Sequence, residues 1–134
     1  MGAAENIRTI QSVYEAFGRG DVAFIANCMT NDVDWASDTS SDVAPWYGVH
    51  KGPQGVGDFF TAFGGAMDVD DFTPLTFAAA DDDVLTVVRF GATSRKTGKS
   101  ASMQLHHWFR FSNGKIAYYR GTEDTAITAA ALAE

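Results

Sequence analysis

The chain has 134 residues, of which 46% are apolar and 20% charged, a balance typical of one folded domain rather than a disordered chain. The net charge of −7, with no basic patch, repels phosphate backbones and argues against nucleic-acid binding. No apolar run approaches the roughly 20 residues that span a bilayer, and no signal-peptide pattern opens the sequence. We therefore expect a cytoplasmic protein without a membrane anchor.

The first third of the sequence predicts two helices followed by a strand. Apolar residues recur at helical spacing up to Phe17, and Gly18 and Gly20 end that helix, which indicates a helical hairpin over residues 1–29. In "NDVDWASD", residues 31–38, Trp35 and Ser37 share one face of a short strand. Residues 39–52 are predicted to form a loop.

The rest of the chain predicts one helix and then mostly strands. Pro53 begins a helix with Phe59, Phe60 and Phe63 on its apolar face. Turn signals separate predicted strands near 67–79, 84–95, 100–112 and 115–122, and Asp124 or Thr125 caps a short final helix. Strands that follow helices in this order indicate an α+β fold, in which one curved sheet and its helices enclose a pocket.

Four segments in this order resemble the SnoaL-like group of the nuclear transport factor 2-like superfamily, which includes ketosteroid isomerases and polyketide cyclases. They are "YEAFGRGD" at 14–21, "NDVDW" at 31–35, "GPQGVGDFF" at 52–60 and "HWFRFSNGKI" at 107–116. The resemblance implies a cystatin-like cone: a curved mixed or antiparallel sheet wrapped around N-terminal helices, with an internal hydrophobic cavity. It also implies a single domain over residues 1–134.

The resemblance further implies a homodimer that forms through the outer face of the sheet. On the strand at 100–112, His106 and Trp108 fall on the face opposite to His107. We therefore expect His106, Trp108 and Tyr118 at the surface between two copies of the chain, since a self-complementary contact is the commonest route to an oligomer.

His107 is a candidate catalytic residue. It alternates with Leu105 and Phe109 on an apolar strand face, which predicts that the imidazole points inward. A buried structural histidine is the ordinary alternative. The resemblance places His107 where ketosteroid isomerases carry a donor to the substrate oxyanion, and a histidine is able to donate there.

The other isomerase groups are not matched. The resemblance places Ser37 at the general-base position and Val13 at the position of the helix tyrosine, with Tyr14 one residue beyond. Some SnoaL-like cyclases carry an acid/base aspartate near the end of the last strand, which makes Asp124 the second candidate catalytic residue. Its alternative role is the N-cap of the final helix.

Four residues are candidates for substrate binding. Tyr14, Trp35 and Phe60 are expected to line the cavity or to fill the core. Arg89 shares a strand face with Leu85 and Val87. An arginine on such a face requires a carboxylate, supplied by Glu123, Asp34 or a bound ligand.

Two further features bear on the site. The loop at 44–52, "APWYGVHKG", forms either a lid over the cone mouth or a surface loop anchored by Trp46. His50, His106 and His107 lack a metal-ligand spacing, and no dinucleotide or phosphate-loop pattern occurs, so no metal or cofactor is expected.

Two functions are compatible with these residues. The first is a cofactor-independent proton-transfer enzyme, of isomerase or polyketide-cyclase type, that acts on a hydrophobic carbonyl compound through His107 and Asp124. The alternative is a non-catalytic module of the same fold that binds a hydrophobic ligand or a protein partner.

Overall fold

A computed structural model describes residues 2–134, and it begins with two helices. Helix α1 (Ala3–Gly18) buries Ile10 and Val13, and α2 (Val22–Asn27) follows after a tight turn. The Asp21 side chain accepts a hydrogen bond from the Phe24 backbone N–H at 3.0 Å, which caps α2. The predicted helical hairpin is therefore confirmed, although it ends at Asn27 rather than at residue 29, because Met29 begins the first strand; Met1 lies outside the described residues.

Six strands and two more helices make up the rest of the chain. In chain order they are β1 (Met29–Ser37), β2 (Val49–Lys51), α3 (Gly52–Ala66), β3 (Met67–Ala80), β4 (Asp83–Ser94), β5 (Ser100–Ser112), β6 (Lys115–Thr122) and α4 (Thr125–Leu132). The strands form one sheet in the order β2-β1-β6-β5-β4-β3. Only β1 and β6 pair in parallel; the other neighbours are antiparallel.

The α+β class and the cone-like curved, mixed sheet are as predicted. Strands β3 to β6 agree with the predicted segments to within one residue at each end. The short strand β2 was missed, because its three residues lie inside the segment predicted as a loop; His50 there pairs with Trp35 of β1. Register shifts in β3 and between β5 and β6 are bulges of the kind that bend a sheet.

The sheet has one face packed on the helices and one face turned away from them. On β4, Val84, Thr86 and Val88 are buried on the inner face. Leu85 is 53% exposed on the opposite, outer face. None of the helices formed by residues 2–134 has the length and apolarity that crossing a membrane requires.

Candidate functional site

A pocket lies between helices α1 and α3 and the inner face of the sheet, and it is called the inner pocket below. Its volume is about 80 Å³, measured by the positions open to the centre of a water-sized sphere. A single water requires roughly 10–15 Å³ by this measure, so the inner pocket exceeds the space of several waters. Most of its lining is apolar, including Phe17, Phe60, Phe63, Phe72 and Phe109.

His107 lines the inner pocket from β5, so its predicted inward direction is confirmed. Its Nδ1 lies 2.7 Å from the Tyr14 hydroxyl of α1, and that hydroxyl lies 2.6 Å from Oγ1 of Thr86 on β4. Burial among aromatic rings lowers the pKa of His107 to about 3, and the neighbouring His106 acts in the same direction. The imidazole is therefore neutral at neutral pH.

The hydrogen-bond chain through Tyr14 admits two proton arrangements. Either Tyr14 donates to Nδ1 of His107 and accepts from Thr86, which places the imidazole proton on Nε2, or every donor and acceptor is reversed. Burial raises the pKa of the Tyr14 hydroxyl above its usual value, so it stays protonated in both. Both arrangements tie α1 to the inner face of the sheet and fix the imidazole ring.

Glu123 is the carboxylate that lines the inner pocket. Its Oε1 accepts a hydrogen bond from Trp46 Nε1 at 3.3 Å, and its Oε2 accepts from the Tyr47 hydroxyl at 2.9 Å and from the Thr128 hydroxyl. These donors come from the loop before β2 and from α4. The carboxylate therefore holds the loop and the last helix together at one side of the pocket.

Asp124, in contrast, does not line the inner pocket. It is exposed, and its Oδ1 accepts from the Ile127 backbone N–H at 3.2 Å, as the N-cap of α4. The structure thus supports the capping alternative, and placing Asp124 at the pocket was wrong. The error concerns the segment after β6: Glu123 still lines the inner pocket, whereas Asp124 is turned toward the backbone of the first turn of α4.

Arg89 also lies elsewhere than predicted. Its side chain is 58% exposed on the outer face, where Nε donates to Asp71 Oδ2 at 2.7 Å. Neither expected partner is used, because Glu123 binds the loop and Asp34 pairs with Arg120 at 3.1 Å. Both faces of β4 carry apolar residues, so alternation alone could not decide which face points inward.

The three other candidate binding residues, Tyr14, Trp35 and Phe60, line the inner pocket, and their contact with a ligand stays a prediction. Trp46 is only 3% exposed, and its ring packs 4.9 Å from that of Phe63. Trp46 thus anchors the loop before β2 on the fold, and because it also lines the inner pocket, the lid alternative stays a prediction.

Tyr119 and Gly121 are pocket residues that sequence reasoning missed. Tyr119 pairs with Trp35 across β1 and β6, and their rings stack with centroids 3.9 Å apart. A Cβ atom on Gly121 would lie 2.0 Å from the Tyr119 hydroxyl, so the glycine leaves the space that this hydroxyl occupies. Burial, then the nearby Tyr14 and Glu123, raise the pKa of Tyr119 well above its usual value. The signal in the sequence was the spacing of two residues between Tyr119, Gly121 and Glu123, which is typical of one strand face.

Among residues 2–134 there is no group of three or more His, Cys, Asp or Glu side chains arranged to hold a metal ion. The polar side chains that line the inner pocket carry imidazole, hydroxyl, indole and carboxylate groups. These groups are suited to hydrogen bonding and proton transfer.

The fold and the inner pocket define a cone-shaped α+β protein with an interior, mostly apolar site. The family model described as the SnoaL-like domain matches residues 10–119, so the chain belongs to the SnoaL-like family. Comparison with curated proteins finds no match.

Solved structures show the same fold at low sequence identity. An NTF2-like protein of unknown function from Burkholderia pseudomallei K96243 is 22% identical with a TM-score of 0.89, and all of both chains is covered. TerC, co-crystallised with polyporic acid, is 23% identical with a TM-score of 0.82, over 96% of this chain and 98% of its own. A proposed polyketide cyclase from Xanthomonas campestris pv. campestris is 15% identical with a TM-score of 0.80, over 98% of each chain. Other similar structures are named as a proposed isomerase from Rhodopseudomonas palustris and an LEH-like epoxide hydrolase.

Proposed function

We propose that the inner pocket binds a hydrophobic, carbonyl-bearing small molecule and that the chain catalyses proton transfer on it without a cofactor. The supporting observation is that His107 and Glu123, a neutral imidazole and a carboxylate, line the same mostly apolar pocket. An acid and a base that reach one bound molecule are the minimum for moving a proton next to a carbonyl.

His107 is the proposed donor to the carbonyl oxygen. In the arrangement where Tyr14 donates to Nδ1, the imidazole carries its proton on Nε2. A neutral imidazole donates this hydrogen bond without first acquiring a charge in an apolar pocket. The bond strengthens as negative charge develops on the oxygen, because the surrounding aromatic rings exclude water.

Glu123 is the proposed acceptor of the proton, in the role that the sequence assigned to Asp124. Gly121 pairs with His107 across β5 and β6, so Glu123 leaves the strand only two residues beyond the histidine. Its hydrogen bonds from Trp46 and Tyr47 hold the carboxylate at the pocket wall. A substrate carbon beside the carbonyl would lie between the two groups.

The test is hydrogen–deuterium exchange at that carbon, followed by NMR in D₂O. Binding is measured with polyporic acid, the compound co-crystallised with TerC. Exchange is measured with a panel of aromatic ketones that carry a C–H bond next to the carbonyl. Glu123→Gln and His107→Gln are expected to lower the exchange rate by about 100-fold or more, the usual contribution of a positioned acid or base. Asp124→Asn and His106→Gln are the matched controls and should exchange at the wild-type rate. Equal rates in all five proteins would contradict the proposal.

The alternative is a non-catalytic module that holds a hydrophobic ligand. Two points favour it: the family resemblance places Ser37 where isomerases carry their base, and Glu123 already accepts three hydrogen bonds within the protein. Ligand binding without any exchange above the rate in buffer would support this alternative.

A further inference from the structure

The Tyr119 hydroxyl has no hydrogen-bond partner in the described part of the protein. Its neighbour across the pocket, the Tyr14 hydroxyl, has two, Thr86 and His107. Among residues 2–134 no comparable contact is made by Tyr119, although the residue is only 5% exposed. Unlike Trp35 Nε1, this hydroxyl is not among the fully buried atoms without a partner, so it is open to the inner pocket, where a ligand would supply the missing hydrogen bond.

A second donor in the same wall is also unpartnered. The indole Nε1 of Trp35 is buried and finds no acceptor within the described part of the chain. Trp35 stacks directly on Tyr119, at an angle of 20° between the ring planes. Because the indole nitrogen is fully buried, the Tyr119 hydroxyl is the unpartnered group of this pair that a ligand in the inner pocket is able to reach.

The backbone is shaped to hold the Tyr119 hydroxyl where it is. Gly121 lies two residues further along β6 on the same inward face, and the hydroxyl occupies the volume in which a side chain at 121 would begin. The absence of a Cβ atom there lets the phenol lie across the strand beside His107, whose ring centroid is 5.4 Å from that of Tyr119.

The charges around the inner pocket limit what such a donor would bind. No lysine or arginine is among the described residues that line it, and the one carboxylate is Glu123. A carboxylate or phosphate ligand would thus be repelled and would lose its hydration without gaining a cation. An uncharged acceptor oxygen fits the donor and avoids both penalties.

We propose that the Tyr119 hydroxyl, held where Gly121 lacks a Cβ atom, is a second ligand donor beside His107, and that the ligand presents to it an uncharged acceptor oxygen such as a ketone or quinone carbonyl. This inference rests on the proposed ligand-binding function and makes it more specific. Tyr119 is accordingly a ligand-binding and specificity-determining residue.

The experiment compares paired probes by calorimetry: 1-tetralone, which carries a carbonyl, and tetralin, which has the same rings without oxygen. Wild-type protein should prefer 1-tetralone. Tyr119→Phe should reduce that preference by about 3- to 10-fold, the range for loss of one hydrogen bond, and leave the tetralin affinity unchanged. Tyr118→Phe, the neighbouring tyrosine on the outer face, is the matched control and should behave as wild type.

A second measurement separates a ligand-binding hydroxyl from a structural one. Because the Tyr119 hydroxyl has no partner among the described residues, Tyr119→Phe should leave the Tm of the ligand-free protein unchanged or raise it. Tyr14→Phe removes two hydrogen bonds and should lower the Tm.

Three results would overturn the inference. An unchanged preference for 1-tetralone in Tyr119→Phe would remove Tyr119 as the donor while leaving the ligand pocket intact. A Tm loss as large as that of Tyr14→Phe would show that the hydroxyl serves the fold. If wild-type protein bound neither 1-tetralone nor tetralin, the proposed function itself would fail, and the inference with it.

Discussion

Two adjacent histidines on β5 occupy opposite environments. His106 is exposed on the outer face of the sheet, whereas His107 lines the inner pocket and bonds to Tyr14. The same contrast extends over the whole sheet: the outer face carries ion pairs such as Arg89–Asp71 and Arg110–Asp83, while no basic side chain other than histidine is among the described residues that line the inner pocket. The difference teaches that alternation along one strand places two identical side chains in opposite environments, one on the face that carries the ion pairs and one in a mostly apolar pocket.

The largest expected effect concerns the pH dependence of stability. The folded-state pKa of His107, about 3, lies below its unfolded value near 6.5, so the unfolded chain takes up the proton first as the pH falls. The stability linked to this group is complete above pH 6.5 and is lost progressively toward pH 3, by roughly 3 to 5 kcal/mol.

Urea unfolding at a series of pH values measures this effect. His107→Gln lacks the titrating group and should lose less stability between pH 6.5 and 3 than wild type, whereas His106→Gln should follow wild type. If the free energy of unfolding of both variants depends on pH as that of wild type does, the two faces of β5 do not differ as described.

The second effect concerns adjacent carboxylates at the end of β6. Glu123→Ala leaves three donors without their acceptor and should lower the free energy of unfolding by about 2 to 5 kcal/mol. Asp124→Ala removes only a helix N-cap and should cost about 1 kcal/mol. Chemical denaturation of both variants checks the difference, and equal losses would contradict the anchoring role of Glu123.

The third effect concerns the absence of a Cβ atom at Gly121 on the inner face. Gly121→Ala places a Cβ atom 2.0 Å from the Tyr119 hydroxyl and should cost about 1 to 3 kcal/mol, because the phenol must move. Gly64→Ala, in α3 with no neighbouring atom within 4 Å, should instead stabilise the protein by up to about 1 kcal/mol. If Gly121→Ala and Gly64→Ala had similar Tm values, a side chain at position 121 would not collide with the Tyr119 hydroxyl as described.

The smallest effect is expected on the outer face. Arg89→Gln should change stability little and leave ligand affinity in the inner pocket unchanged, since the Arg89–Asp71 pair is exposed. Its measurable result is local: hydrogen bonds from Arg89 and Thr73 hold the pKa of Asp71 below its usual value, and loss of the arginine should raise it. NMR titration of the Asp71 carboxyl detects this change of pKa. If Arg89→Gln instead lost ligand binding, Arg89 would have a role in the binding site after all.

Much of the fold was predictable because local patterns and tertiary contacts agree. The helical hairpin and the strands β3 to β6 follow from period and turn chemistry. Strand β2 was not predictable, because its three residues carry no alternating pattern and become a strand only by pairing with β1. The parallel pairing of β1 with β6 depends likewise on contacts between distant parts of the chain.

The candidate site was predictable only where one face of a strand is clearly more apolar than the other. His107 lies on a strand face that is uniformly apolar, and its inward direction followed from that. The predicted location of Arg89 was wrong because both faces of β4 carry apolar residues. The predicted location of Asp124 was wrong because Glu123, one residue earlier, is the carboxylate that lines the pocket. The use of Glu123 as an anchor for Trp46 depends on a loop conformation that strand or helix periodicity does not describe.

The position of β1 has a consequence for synthesis of the protein. This strand is synthesised before its parallel neighbour β6, which begins at Lys115 and follows every other strand of the sheet. The central part of the sheet therefore cannot assemble until β6 has left the ribosome, and such sequence-distant pairing is slow to form. We expect nascent chains that end before β6 to expose the edge of β1 and to depend on chaperones until the final strand arrives.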